Sequence, residues 1–166
     1  MTVAKGKLKT TPEGVVYKTT CLPFIRLSEK ALVPEKKTEG SIGLDLASTE
    51  RIVVLPTKIA KGAYKVPTGI AVEIPDGYYG AIHLRSSVGA NSKLRLANQT
   101  GIIDSDYRGE IMLLVENVGS FQEVIEEGER IAQLILHKGE PVVMQEVKEL
   151  KKTKRGTKGI GSTGRK

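Results

Sequence analysis

The chain has 166 residues, of which 39% are hydrophobic and 27% charged, a balance that suits one globular domain with a real core and excludes a disordered chain. No apolar run is long enough to cross a bilayer, and Cys21, the one cysteine, with two distant histidines, His83 and His137, leaves no disulfide and no cysteine or histidine metal cluster to expect. The net charge of +7 sits at the ends: residues 1–20 hold four Lys and one Glu, residues 151–166 hold seven Lys or Arg and no acid, and residues 21–150 hold 15 basic against 18 acidic residues.

Taken from the N-terminus, MTVAKGKLKTT has neither the apolar stretch of a signal peptide nor the arginines of a transit peptide, so an intracellular, soluble protein is expected. Residues 1–20 read as an N-terminal extension. Apolar, β-branched stretches then recur at Cys21–Leu27, Arg51–Leu55, Gly69–Ile74, Tyr78–Leu84, Glu110–Asn117, Phe121–Ile125, Arg130–His137 and Val142–Val147. Turn residues separate them, as in Pro75-Asp76-Gly77, Glu127-Gly128 and Lys138-Gly139. One short helix is expected over Ser86–Lys93. Many short strands with 18 Gly and 7 Pro predict an all-β sandwich or barrel over residues 21–150. Residues 151–166, KKTKRGTKGIGSTGRK, hold a single large apolar residue, Ile160, and read as a flexible, basic, glycine-rich arm that orders only on a partner.

Five stretches carry candidate chemistry. In SIGLDLAS, Ser41–Ser48, strand alternation points Asp45 away from Leu44 and Leu46; it is either a surface acid or a carboxylate aimed at the water shell of a hard cation. In LRSSVGA, Leu84–Ala90, Arg85, Ser86 and Ser87 fall at a strand-to-helix junction. That suits an anion site as well as an ordinary N-cap serine. GIIDSDYRGE, Gly101–Glu110, reads as a hairpin whose tip crowds Asp104, Asp106, Tyr107 and Arg108, bringing a base, a flat ring and a cation together. In EGERIAQLIL, Glu127–Leu136, Gln133 breaks an otherwise apolar strand, and a buried amide needs partners. RGTKGIGSTG, Arg155–Gly164, has the glycine spacing of a phosphate-binding loop. It has Ser162-Thr163 where Lys-Ser/Thr is required, and no strand before it, which excludes a P-loop NTPase. Its backbone N–H groups, with Arg155 and Lys158, remain suited to wrapping phosphates.

These five motifs, in this order from about Leu22 to Gly164, resemble those of the trimeric deoxyuridine triphosphatases (dUTPases). The resemblance implies a distorted jelly-roll (β-clip) subunit and a homotrimer whose three active sites are each built from all three chains. It implies hydrolysis of dUTP to dUMP and pyrophosphate with Mg²⁺ on the phosphates. On that resemblance Asp104 activates the attacking water as general base. Tyr107 packs under the deoxyribose and leaves no room for a 2′-hydroxyl. Asn98 and the backbone of Gly101, Ile102, Ile103 and Asp104 read the uracil, with Met112 also at the substrate. Arg85, Ser86, Ser87 and Gln133 contact phosphates, and Asp45 contacts Mg²⁺ through water. Arg155, Ile160, Gly161 and Ser162 close over the nucleotide, Arg155 reaching the γ-phosphate. Two positions depart from the family pattern. Ile160 stands where a phenylalanine is usual, so an aliphatic cover of the base is expected in place of a stacked ring. Ser41-Ile42 stands where a small residue is common.

Three rivals have distinguishing features. The related dCTP deaminases carry a catalytic glutamate in a pattern like I-x-L-E-x-x-N; here Leu114 holds that place and cannot shuttle protons. A nucleotide-switched regulatory protein would use residues 1–20 as its surface, although Asp104, Tyr107 and Gln133 argue for catalysis. Specific nucleic-acid binding is not expected, because aromatics are only 4% and no basic face is interleaved with them. No membrane partner is expected.

Overall fold

A computed structural model describes residues 8–10 and 16–159. Among them the strands are β1 (Leu8–Thr10), β2 (Val16–Lys18), β3 (Phe24–Arg26), β4 (Leu44–Ala47), β5 (Ile52–Val54), β6 (Tyr64–Pro67), β7 (Ile70–Val72) and β8 (Tyr78–Leu84). After the short helix α1 (Ser86–Asn91) come β9 (Leu94–Leu96), β10 (Gly101–Ile103), β11 (Met112–Asn117), β12 (Glu123–Ile125) and β13 (Arg130–Lys138). The all-β expectation holds. Strands β4, β6 and β9, each only three or four residues long, fall outside the apolar stretches picked out by composition.

The largest sheet has the order β10-β8-β13-β4, and a second runs β6-β11-β9. Strands β12-β5, β3-β7 and β1-β2 form two-stranded pairs, and every ladder is antiparallel. Period-two alternation decides what is inside. On β11, Leu113, Val115 and Asn117 are buried while Met112, Leu114 and Glu116 lie on the more open face. Ile82 of β8 pairs with Leu134 of β13, and both join Leu46, Val66, Ile111, Val115 and Ile131 in one apolar core. On the opposite face of the same sheet, Gln133 lies between Asp45 of β4 and His83 of β8.

Asn117 is fully buried, one of four polar residues, with Ser48, Thr49 and Thr68, that are buried among the described residues. Its Nδ2 donates to the carbonyls of Val54 (2.9 Å) and Phe121 (2.7 Å), and its Oδ1 accepts from Gly119 N–H (2.8 Å). This one amide joins β5, the β11–β12 turn and the end of β11. Truncation to alanine removes all three of these bonds from groups at a buried junction. Asn117→Ala is therefore expected to cost at least about 2 kcal/mol, read as a lowered urea midpoint with unchanged slope.

Two expectations are corrected. Val142–Val147 forms no strand: Val142 and Val143 are 88% and 95% exposed, and a strand needs a partner ladder that no described residue supplies. Gly101–Glu110 is not a hairpin. Its first arm, β10, pairs with β8, and the strand after it, β11, lies between β6 and β9. The two arms thus separate into different sheets, and that separation opens the cleft described next.

Candidate active site

Strand β10 is the edge of its sheet, so one side of Gly101–Ile103 carries backbone N–H and C=O groups with no ladder partner. That side, with the open face of β11, bounds a cleft of about 280 Å³. Ile82, Leu96, Met112 and Leu114 supply apolar walls, and Asn98, Asp104, Tyr107 and Glu110 supply polar groups. An apolar cleft with a few convergent polar groups is the ordinary form of a small-molecule site. The β9–β10 turn delivers Asn98: Gln99 takes φ 59°, Gln99 N–H bonds to Leu96 O (2.9 Å) and Thr100 N–H to Asn98 O (2.6 Å). Seven of the sequence-predicted substrate and catalytic residues therefore meet here: Asn98, Gly101, Ile102, Ile103, Asp104, Tyr107 and Met112.

The loop after β10 carries the acid and the ring. Tyr107 N–H bonds to Asp104 O (3.2 Å), which turns the chain back. The Tyr107 ring folds over Gly109, and a Cβ there would lie 2.5 Å from its hydroxyl oxygen, so a side chain at this position would displace the ring. The Tyr107 hydroxyl donates to Glu110 O (2.9 Å). Arg108 Nη1 donates to Ser105 O (2.6 Å) and Tyr107 O (3.0 Å), so its side chain braces the loop from within. The Asp104 carboxylate is exposed and makes no hydrogen bond with a described residue.

A second group lies where β8 runs into α1. Arg85 Nε is 3.3 Å from Asp45 Oδ1, and Arg85 Nη1 donates to Arg130 O (3.2 Å). Arg130 Nη1 is 3.7 Å from Asp45 Oδ2. Asp45 faces away from the core as alternation predicts, yet its side chain is only 10% exposed, so it is no surface acid. Its Oδ2 is buried without a hydrogen-bond partner. Ser86 and Ser87 are exposed, and the N-cap position is Arg85 with no side-chain cap bond, so neither serine caps the helix. Gln133 is half-buried rather than buried, and its amide has no hydrogen bond among the described residues. Arg85, Ser87 and Arg130 border a separate hollow of about 450 Å³ that shares no lining residue with the first cleft.

Arg155 is brought to neither group. Its Nε donates to Lys158 O (3.1 Å) and its Nη2 to Gly159 O (3.4 Å), inside its own exposed turn. Ile160, Gly161 and Ser162 lie outside the described residues. The residue that sequence reasoning passed over is Arg130. Its only signal was a cation placed at the start of an apolar strand, three residues before Gln133.

The chain matches the dUTPase family model over residues 29–164. It belongs to the dUTPase family. A deoxyuridine 5′-triphosphate nucleotidohydrolase of Zymomonas mobilis is 42% identical over 160 residues, covering 96% of this chain and 97% of its own. Among solved structures, a Staphylococcus bacteriophage 80alpha dUTPase with dUPNHPP aligns with TM-score 0.76 and 28% identity over 88% of this chain and 99% of its own. That work describes phage dUTPases as controlling transfer of virulence genes by a G protein-like mechanism. A mutant dUTPase from phage phi11 of S. aureus, described with a structural Mg(II) ion, aligns with TM-score 0.71 and 26% identity over 78% of this chain and 98% of its own. In dUTPase terms, the third motif forms the first cleft, and the first, second and fourth meet at Asp45, Arg85 and Gln133.

Proposed function

We propose that this chain hydrolyses dUTP to dUMP and pyrophosphate, keeping uracil out of DNA and supplying dUMP for thymidylate synthesis. The observation that carries the reading is the cleft between β10 and β11, with a free carboxylate and an aromatic ring on its loop and an unpaired strand edge along its side. The strand edge of Gly101–Ile103 and Asn98 take the uracil edge, since fixed N–H and C=O groups discriminate by hydrogen bonding. Met112 lines the wall, and Tyr107 lies under the deoxyribose and excludes a 2′-hydroxyl. Asp104 takes a proton from water as its oxygen bonds to the α-phosphorus and the bond to the bridging oxygen breaks, releasing pyrophosphate. Arg85, Ser86, Ser87 and Gln133 hold phosphate oxygens. From the arm, Arg155 reaches the γ-phosphate, and Ile160, Gly161 and Ser162 close over the base and phosphates.

The residues fit a magnesium ion held through water. Asp45 keeps one buried carboxylate oxygen without a hydrogen bond, and among the described residues no cluster of three acids, histidines or cysteines forms a cage. When bound, the ion supplies charge neutralisation on the triphosphate. Arg85 and Arg130 hold the Asp45 carboxylate in place, and Asp45 would contact the ion through its water shell.

The working unit is a homotrimer with shared sites. On one chain the two groups of residues border separate hollows, which suits sites completed by neighbouring copies. Val142, Val143 and Met144 are apolar and almost fully exposed, and a second copy would cover them. Residues 1–20 are the extension, 21–150 the β domain and 151–166 the arm. An intracellular location follows from the substrate, and among the described residues no helix is long and apolar enough to cross a membrane.

Deamination of dCTP is disfavoured because Leu114, at the position of the deaminase glutamate, lines the cleft. The deciding experiment measures pyrophosphate release from dUTP, dTTP, dCTP and UTP with and without Mg²⁺, alongside sedimentation. Hydrolysis of dUTP alone by a trimer is expected. Equal turnover of UTP would sink the sugar assignment, ammonia release from dCTP would favour the deaminase, and an active monomer would overturn the shared site.

A further inference from the structure

The loop bearing Asp104 ends at Glu110, and its foot is stitched to the turn between β6 and β7 on several sides. Gly69 N–H donates to Glu110 Oε1 (2.6 Å), Thr68 Oγ1 donates to Ile111 O (2.7 Å), and Ile111 N–H donates to Ile70 O (2.8 Å). Ile70 N–H in turn bonds to Thr68 Oγ1 (3.3 Å), so the hydroxyl sits between both segments. Glu110 contributes twice, because its backbone carbonyl accepts the Tyr107 hydroxyl while its carboxylate holds Gly69. Among these contacts, Glu110's carboxylate is the one side chain that reaches from the cleft wall to the turn.

The turn itself is fixed. Gly69 has φ +64°, and a Cβ there would lie 2.7 Å from Ala31 Cβ, so the N–H direction depends on glycine. Its carbonyl accepts Leu27 N–H (2.7 Å), and Thr49 N–H bonds to Pro67 O (2.9 Å). Glu110 is therefore anchored to a rigid point. Between Asp104 and Glu110 the loop is otherwise held by its own internal bonds.

We propose that Glu110 is a positioning residue: its carboxylate, held by Gly69 N–H, sets where the loop presents Asp104 and Tyr107 to the substrate. This rests on the reading of Asp104 as the base. A clamp of this kind acts on the placement of the reacting groups more than on ground-state affinity, since the phosphates are held elsewhere.

The test is steady-state hydrolysis of dUTP by the full-length protein carrying Glu110→Ala, Glu110→Asp or Glu110→Gln, with thermal melting of each. Glu110→Ala and the shorter Glu110→Asp are expected to lower kcat by roughly tenfold to 100-fold while KM moves by less than about threefold. Glu110→Gln keeps an acceptor oxygen at the same reach and is expected to restore kcat to within about threefold of the parent. Folded Ala and Asp variants with the parent's kcat overturn the proposal. So does a Gln variant as slow as the Asp variant. Should Glu110→Ala fail to fold, the Asp and Gln pair still decides. Asp104→Asn assayed in parallel separates the two assignments: an active Asp104→Asn removes the base, whereas an active Glu110→Asp beside an inactive Asp104→Asn removes only the clamp.

Discussion

Asp104→Asn is expected to abolish hydrolysis of dUTP while leaving nucleotide binding nearly intact. The residue follows directly on edge strand β10, at the point where the backbone leaves the ladder and enters the loop. Its carboxylate is exposed in the cleft and has no hydrogen bond to a described residue, which leaves both oxygens to hold a water. Asparagine keeps the shape and one acceptor, so the cleft and its affinity remain. It cannot accept a proton, and general-base assistance is worth about 10²–10⁴-fold. Pyrophosphate release and calorimetric binding of dUPNHPP, measured on the same preparation, separate the two effects. Turnover within about tenfold of the parent would remove Asp104 from the role.

The site was legible in the sequence to the extent that it is local. Asp104 and Tyr107 share one loop, Asn98 stands six residues away, and Arg85, Ser86 and Ser87 follow one another at a strand end. Each group could be read because its members are neighbours in the chain. The β8 strand was legible for a similar reason, because Tyr78–Leu84 is a mostly apolar and aromatic run, broken only by Gly80 and His83 and bounded by Asp76-Gly77 and by Arg85.

What was not legible depends on partners distant in sequence. Gly101–Glu110 with the strand that follows has the outline of a hairpin, an apolar arm on each side of a polar tip. Ile102 pairs with Ala81 and Leu113 with Val66, however, and nothing local reveals that the arms join different sheets. The same holds for Arg130, whose importance appears only when β13 lies beside β4 and its guanidinium meets Asp45. Glu110 looks like a loop acid until Gly69 is found beneath it. Val142–Val147 fails in the opposite direction. Its side chains favour a strand, but propensity describes fit to a half-buried surface, and these residues have none against them among the described residues.

Removing residues 151–166 is expected to leave the fold intact and nearly eliminate activity. Residues 151–159 are exposed throughout, and the Arg155 guanidinium bonds only to carbonyls of its own turn, so among the described residues the core loses no partner. The body that remains is slightly acidic, with 15 basic against 18 acidic residues over 21–150, and the substrate is a polyanion. Arg85 and Arg130 are already engaged with the Asp45 carboxylate, which reduces the positive charge they can offer the triphosphate. The arm supplies the missing cations, Arg155 and Lys158 among them, together with glycine N–H groups. Charge-assisted hydrogen bonds contribute about 1.5–3 kcal/mol each, so loss of even two corresponds to at least roughly 100-fold in kcat/KM. The truncated protein should therefore melt within a few degrees of the parent, keep its sedimentation coefficient for the same assembly, and hydrolyse dUTP at least about 100-fold less efficiently. A truncated protein that unfolds would place the arm in the core's stability, and one that keeps full activity would place the phosphate contacts entirely on the β domain.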